Sequence, residues 1–174
     1  SFWPHPREVL AGETRLRLDL PSEKLDLLAP LGIEQLVLVP FTKDLARLSA
    51  EAFVDQVLID TLEARRIAVG TNFRFGHNRE GDSALLQELG SKRGIEVRLV
   101  PIVTDQGGRM SSSRIRSALE TGDLDTAQLL LGRPYRFQGR VVRGRGLGRE
   151  LGWPTANLQV DGRKFLPALG VYAA

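Results

Sequence analysis

The chain has 174 residues, a formal net charge of +3 and a hydrophobic fraction of 42%, enough for one packed domain or for one domain and part of another. It has no cysteine and its histidines are His5 and His77 alone, which excludes disulfides, thiolate metal centres and thiol nucleophiles and leaves hard, oxygen-bound ions as the metal candidates. No apolar run reaches the length of a membrane span, and residues 1–7 lack the basic-then-apolar pattern of a signal peptide, so a soluble cytoplasmic protein is expected.

Taken in chain order, Ser22 follows Pro21 as a capping-type residue and Leu25, Leu28 and Leu31 fall at helical spacing, predicting a short helix over 22–31. The apolar run 35–39, bounded by Gly32 and Pro40, reads as a strand covered on both faces. Ser49 caps a helical pattern through Phe53, Val54, Val57, Leu58 and Leu62. Residues 66–69 form the next strand, Asp82 or Ser83 opens a helix through Leu85, Leu86 and Leu89, and residues 95–100 form another strand. This alternation predicts an α/β fold with a parallel sheet and crossover helices, in which ligands bind beyond the carboxyl ends of the strands. Two loops fall there, 70–76 and 107–116. Beyond residue 117, two short helical pieces are separated by Gly122 and Asp123 and stopped by Gly132 and Pro134. A boundary is placed near Pro134, and the alternating segments 135–142 and 157–160 suit a small β-barrel.

Three segments carry candidate chemistry. Gly144, Gly146 and Gly148, with Arg145 and Arg149, make a phosphate-handling loop whose tail supplies Thr155 and Asn157 as oxygen ligands for a magnesium ion on nucleotide phosphates. The pattern is not the common P-loop, and a flexible turn before an ordinary strand fits it equally. In 109–116, a serine caps the helix that continues through Ile115, Ala118 and Leu119, so free amides, hydroxyls and arginines converge on an anion site, or on a plain capped helix with surface cations. In 70–76, Gly70 permits a tight exit from the strand and Asn72 can bond a heterocycle edge, while Phe73 and Phe75 stack on a ring or are buried. His5 stands as a ligand contact or a structural residue, and His77 as a loop residue. Arg133, Arg136, Arg140, Arg143, Arg145 and Arg149 crowd one segment. For Arg136 and Arg140 a solvated strand face is favoured, and with only Tyr135 and Phe137 interleaved, nucleic-acid or polyanion binding is the runner-up.

In this order the segments Phe2 to Pro6, 70–76, Gly81 with Asp82, 109–116, 131–134, 144–157 and 170–172 resemble the bifunctional prokaryotic riboflavin kinase/FAD synthetase family. The resemblance implies two domains: residues 1–132, a Rossmann-like FMN adenylyltransferase domain, and residues 133–174, the start of a riboflavin kinase β-barrel. It implies ATP and magnesium as cofactors, FMN and riboflavin as substrates, and no nucleic-acid partner. By the same analogy Arg109, Ser112 and Arg116 are catalytic; Ser111, Ser112, Ser113, Arg116, Gly144, Gly146, Thr155 and Asn157 bind ATP; Thr155 and Asn157 meet the metal; and Pro6, Asn72 and Phe75 line the flavin. A related nucleotidyltransferase with another phosphate acceptor is the alternative that the serine motif alone would allow. The family's histidine-rich loop and first strand, and its later glutamate base, do not occur in these 174 residues. The expectation is therefore a segment of a longer protein that turns over poorly alone and can self-associate through an open sheet edge.

Overall fold

A computed structural model describes residues 1–14 and 16–173. Its elements run β1 (Phe2–Trp3), α1 (Pro6–Ala11), α2 (Pro21–Leu28), β2 (Val39–Pro40), α3 (Ala50–Ala52) continued by a π-helical stretch (Phe53–Thr61), β3 (Arg66–Gly70), β4 (Arg74–Phe75), β5 (Gly81–Asp82), α4 (Ser83–Lys92) and β6 (Glu96–Val100). They continue as β7 (Thr104–Asp105), β8 (Gly108–Arg109), α5 (Ser112–Glu120), α6 (Leu124–Leu131), β9 (Gly139–Val142), α7 (Leu147–Glu150) and β10 (Asn157–Val160). This is a mixed α/β protein of short strands that pair two by two. Among the described residues no helix is long and apolar enough to cross a membrane. Residues 1–13 and 38–110 make one unit, and residues 14–37 and 111–174 the other.

In the first unit β3 and β6 pair in parallel from Arg66 opposite Glu96 to Gly70 opposite Val100, with α4 as the crossover helix that the alternation predicts. Asp82 caps α4 by accepting from the Leu85 N–H at 2.9 Å. Its inner face buries Leu86 and Leu89. A Cβ on Gly90 would stand 2.6 Å from Val97 Cγ2, so α4 reaches β6 only because position 90 has no side chain. Ser49 caps α3, accepting from the Ala52 N–H at 3.1 Å. The pattern beyond it buries Phe53, Val54 and Val57 as expected, but the turns widen: the Leu62 N–H reaches the Val57 carbonyl and the Thr61 hydroxyl reaches that of Gln56, each five residues back. The Arg93 guanidinium forks onto Asp55 of this stretch. Phe53 packs at 5.7 Å from Phe75, which stacks at 5.5 Å on Phe73.

The strand expected over 35–39 shrinks to β2, which pairs in parallel with β1 only at Val39 and Pro40. Pairing reaches Ser1, whose carbonyl accepts from the Val39 N–H, and Val37 and Leu38 are exposed rather than covered on both faces. The ladder passes Pro40, whose missing N–H it does not use, to the Phe41 N–H, which donates to the Trp3 carbonyl at 3.1 Å.

In the second unit α5 and α6 bury Ile115, Ala118, Leu119, Ala127 and Leu130. Asp123 caps α6 and Gly132, at φ +67°, ends it. β9 and β10 run antiparallel, with Val142 opposite Asn157. Residues 135–138 do not join them, because the Tyr135 hydroxyl donates toward the carbonyls of Phe165 (2.6 Å) and Leu18 (3.0 Å) instead. α2 also departs from its expected form. Leu20 holds the capping position with Pro21 first in the helix and Ser22 inside it. Leu25 and Leu31 are exposed, and the residue that α2 buries is Glu23, 2% accessible. Its carboxylate bonds Lys164 Nζ at 2.8 Å and accepts from the Leu20 and Gln138 N–H groups.

Candidate functional site

The first unit contains a cavity of about 630 Å³ whose wall includes Phe2, Pro6, Leu10, Phe41, Phe53, Phe73 and Phe75. That volume lies within the range of small-molecule pockets, and its mostly apolar wall suits a planar ring system. Local chemistry explains how each part gets there. His5 caps α1 by accepting from the Arg7 N–H at Nδ1 (3.1 Å), while Glu8 accepts from the His5 N–H (2.9 Å), and this reciprocal cap turns Pro6 and Leu10 into the wall. His5 is therefore structural, and it also lines the cavity. The opposite wall is the loop that leaves β3. Gly76 takes φ +74°, and a Cβ there would stand 2.8 Å from the Ala50 nitrogen, so the chain turns tightly over α3 and delivers His77, Asn78 and Arg79 to the cavity mouth.

Of the expected flavin residues, Pro6 and Phe75 line this cavity and Asn72 does not. Asn72 instead turns its carboxamide to Arg109; assigned with its oxygen on the guanidinium side, it accepts from Nη1 at 2.9 Å and Nη2 at 3.2 Å. The sequence names Phe2 within a motif and Phe53 as helix core but neither as a cavity residue, gives no expectation for Leu10 or Phe41, and leaves it to the folded chain to gather all four.

In the second unit Ser111 caps α5, its hydroxyl 3.4 Å from the Arg114 nitrogen. Ser112 and Ser113 occupy the exposed first turn, and Arg116 folds back so that Nη1 donates to the Ser112 carbonyl at 3.2 Å. The turn thus gathers the serines with the guanidinium of Arg116. The glycine loop contains α7, which was not expected. Its amides close on Gly146, with the Arg149 N–H donating at 3.0 Å. A Cβ on Gly144 would collide with the Asn157 carboxamide, and one on Gly148 with the Trp153 carbonyl and with Thr155 Oγ1 at 3.2 Å. Glycine is therefore required for the loop to lie on Thr155 and Asn157.

Among the described residues no three His, Cys, Asp or Glu side chains cluster as a metal cage. Thr155 and Asn157 are exposed, neutral oxygen donors under one loop, the donor set that suits a magnesium ion taking most of its ligands from water and phosphate.

Taken together, the parallel strands, the loops at their carboxyl ends and the aromatic cavity define an α/β protein with a pocket of small-molecule size. The FAD synthetase family matches residues 1–114, and the riboflavin kinase family matches residues 131–174. The chain belongs to the FAD synthetase family, with a riboflavin kinase segment following. It is 41% identical, over 98% of its length, to the bifunctional riboflavin kinase/FMN adenylyltransferase of Pseudomonas fluorescens. Identity to the protein of the same name from Escherichia coli strain K12 is 40% over 99% of the chain. The chain spans 55% of the length of each of these relatives. A solved structure described as the macrolide-efflux protein of Streptococcus pneumoniae superposes with a TM-score of 0.86 at 34% identity, covering 99% of this chain and 56% of that one.

Proposed function

We propose that the chain serves FAD biosynthesis, its first part transferring AMP from ATP to FMN and its second part belonging to a module that phosphorylates riboflavin. In the first reaction a phosphate oxygen of FMN attacks the α-phosphorus of ATP; the bond to the bridging oxygen breaks and pyrophosphate leaves. The work of the protein is positioning and charge stabilisation, with no covalent intermediate. The isoalloxazine ring occupies the cavity between Pro6 and Phe75. Arg109, Ser112 and Arg116 stabilise the reacting phosphates, with Ser111 and Ser113 as further ATP contacts. In the second module Gly144 and Gly146 lie over the ATP phosphates, and Thr155 and Asn157 would hold magnesium, which supplies charge neutralisation there. Residues 1–132 make the adenylyltransferase domain on a Rossmann-like plan, and residues 133–174 begin the kinase barrel; the protein works in the cytoplasm and can self-associate.

The observation that carries this reading is the aromatic cavity opened by the loop at the carboxyl end of β3. Polyanion binding draws support from the exposed Arg136, Arg140, Arg143, Arg145 and Arg149. Tyr135, one of the two aromatics interleaved with the arginines, already carries Lys164 Nζ 4.8 Å over its ring. The test is incubation of a full-length protein carrying this sequence with ATP, magnesium and FMN, followed by chromatography. FAD and pyrophosphate in equal amounts are expected; FMN recovered unchanged beside a folded protein contradicts the reading.

A further inference from the structure

The loop that follows β3 and the β7–β8 hairpin that comes after β6 meet in a polar contact, that of Asn72 with Arg109. Both terminal nitrogens of the guanidinium donate to the single carboxamide oxygen, at 2.9 and 3.2 Å. Each partner is set by backbone. On the β3 side the Thr71 N–H donates to the Val100 carbonyl (3.0 Å) and the Phe73 N–H to that of Gly70 (2.9 Å), which fixes the turn that carries Asn72. Gly70 leaves room for it, since a Cβ there would stand 3.1 Å from the carboxamide. On the other side Arg109 lies in β8, opposite Thr104 of β7, and the next residue extends the hairpin by donating from Met110 to Val103 at 3.0 Å. A flexible arginine is thus held between two short, bonded segments at the end of the parallel pair.

We infer that Asn72 is a positioning residue for adenylyl transfer, acting through the Arg109 guanidinium rather than by lining the ring pocket. The inference rests on the proposed role of Arg109 toward the ATP phosphates. With its oxygen committed to Arg109, the carboxamide keeps only its amino group for other bonds, and so acts there solely as a donor. Charge-assisted hydrogen bonds of this kind are the strong ones, and they fix a cation that would otherwise sample many rotamers.

The test is a double-mutant cycle in a full-length protein carrying this sequence, with Asn72→Ala, Arg109→Ala and the pair, each assayed for FAD formation, FMN binding, riboflavin phosphorylation and thermal unfolding. Asn72→Ala is expected to lower kcat for FAD formation about 10- to 100-fold with the KM for FMN within about threefold. Added to Arg109→Ala it should remove less than about twofold more, the mark of two residues acting as one. Gly70→Ala, which crowds the carboxamide, should give a smaller loss that likewise vanishes in the Arg109→Ala background. Losses that multiply, or a raised KM for FMN in both backgrounds, would show that Asn72 meets the flavin by itself and overturn the inference. A fall in riboflavin phosphorylation and in the unfolding temperature alongside the loss of FAD would mark a structural role and overturn it too. A wild-type protein that phosphorylates riboflavin but forms no FAD would refute the underlying role of Arg109 instead.

Discussion

Replacing Arg116 with alanine is expected to lower FAD formation about 100- to 1,000-fold while riboflavin phosphorylation stays within about twofold. Removing one pre-organised donor to developing phosphate charge carries a loss of that size. The guanidinium is pre-organised here by the Ser112 carbonyl of its own helix at 3.2 Å and by the Leu16 carbonyl, from the stretch before α2, at 3.5 Å. Ser111 caps the same turn, so hydroxyls, amides and cation stand together without waiting for the ligand. Asn157→Ala is the converse experiment. It lies beneath Gly144 in the segment that matches riboflavin kinase, and its loss should reduce phosphorylation while sparing FAD formation. Both activities are measured on one full-length protein carrying this sequence by separating the flavins. Equal losses from either substitution would contradict the division of labour between the two segments.

The largest effect on stability is expected from Lys164→Met, at about 3–5 kcal/mol of unfolding free energy, because it leaves the Glu23 carboxylate buried and unpaired. The two side chains are 0% and 2% accessible and 2.8 Å apart. Lys164 also lies over Tyr135, so the loss reaches three separate stretches of chain. A loss of that size is a large share of the ~5–15 kcal/mol that holds a typical domain folded. Pairing it with Glu23→Leu should return most of the stability, since an apolar pair removes the stranded charge. Urea unfolding of the two variants against the parent checks both statements. Burial alone would raise the Glu23 carboxyl, but the Lys164 hydrogen bond, the Leu20 N–H and the charge of Lys164 together hold it below the ordinary glutamate value. A carboxyl lowered by folding stabilises above its unfolded pKa and loses that contribution as pH falls through its folded value. Acid should therefore weaken the parent below the ordinary glutamate range, and the Glu23→Leu, Lys164→Met pair should lack that part of the slope.

Local signals were legible where one principle governs. The Ser49 cap, the β3 and β6 strands and the punctuation at Gly132 follow from capping, period and glycine conformation, and the structure chooses Asp82 over Ser83 and Ser111 among the three serines as the caps of α4 and α5. The misreadings share a different cause, since each depends on a partner far along the chain. Leu25 and Leu31 have the spacing of a core face, yet α2 turns Glu23 inward because Lys164 waits there. Tyr135 fits an alternating strand, but its hydroxyl finds Leu18 and Phe165. The cavity was half legible: Pro6 and Phe75 stood out within motifs, whereas Leu10 and Phe41 carry no mark, and Phe53 only that of helix core, until the fold brings them together. Asn72 was read for its chemistry as a bonding group, and the structure supplies Arg109 as its partner.

The most direct test of the central claim is a titration of this chain with FMN, followed by flavin fluorescence, beside a Leu10→Asp variant. Leu10 lines the cavity and is 62% exposed, so the change spares the core while setting a carboxylate against an apolar ring. Saturable quenching by the parent, weakened at least about tenfold in a variant with unchanged circular dichroism, is the predicted result. No saturable quenching by the folded parent, or equal binding by parent and variant, would contradict the flavin site.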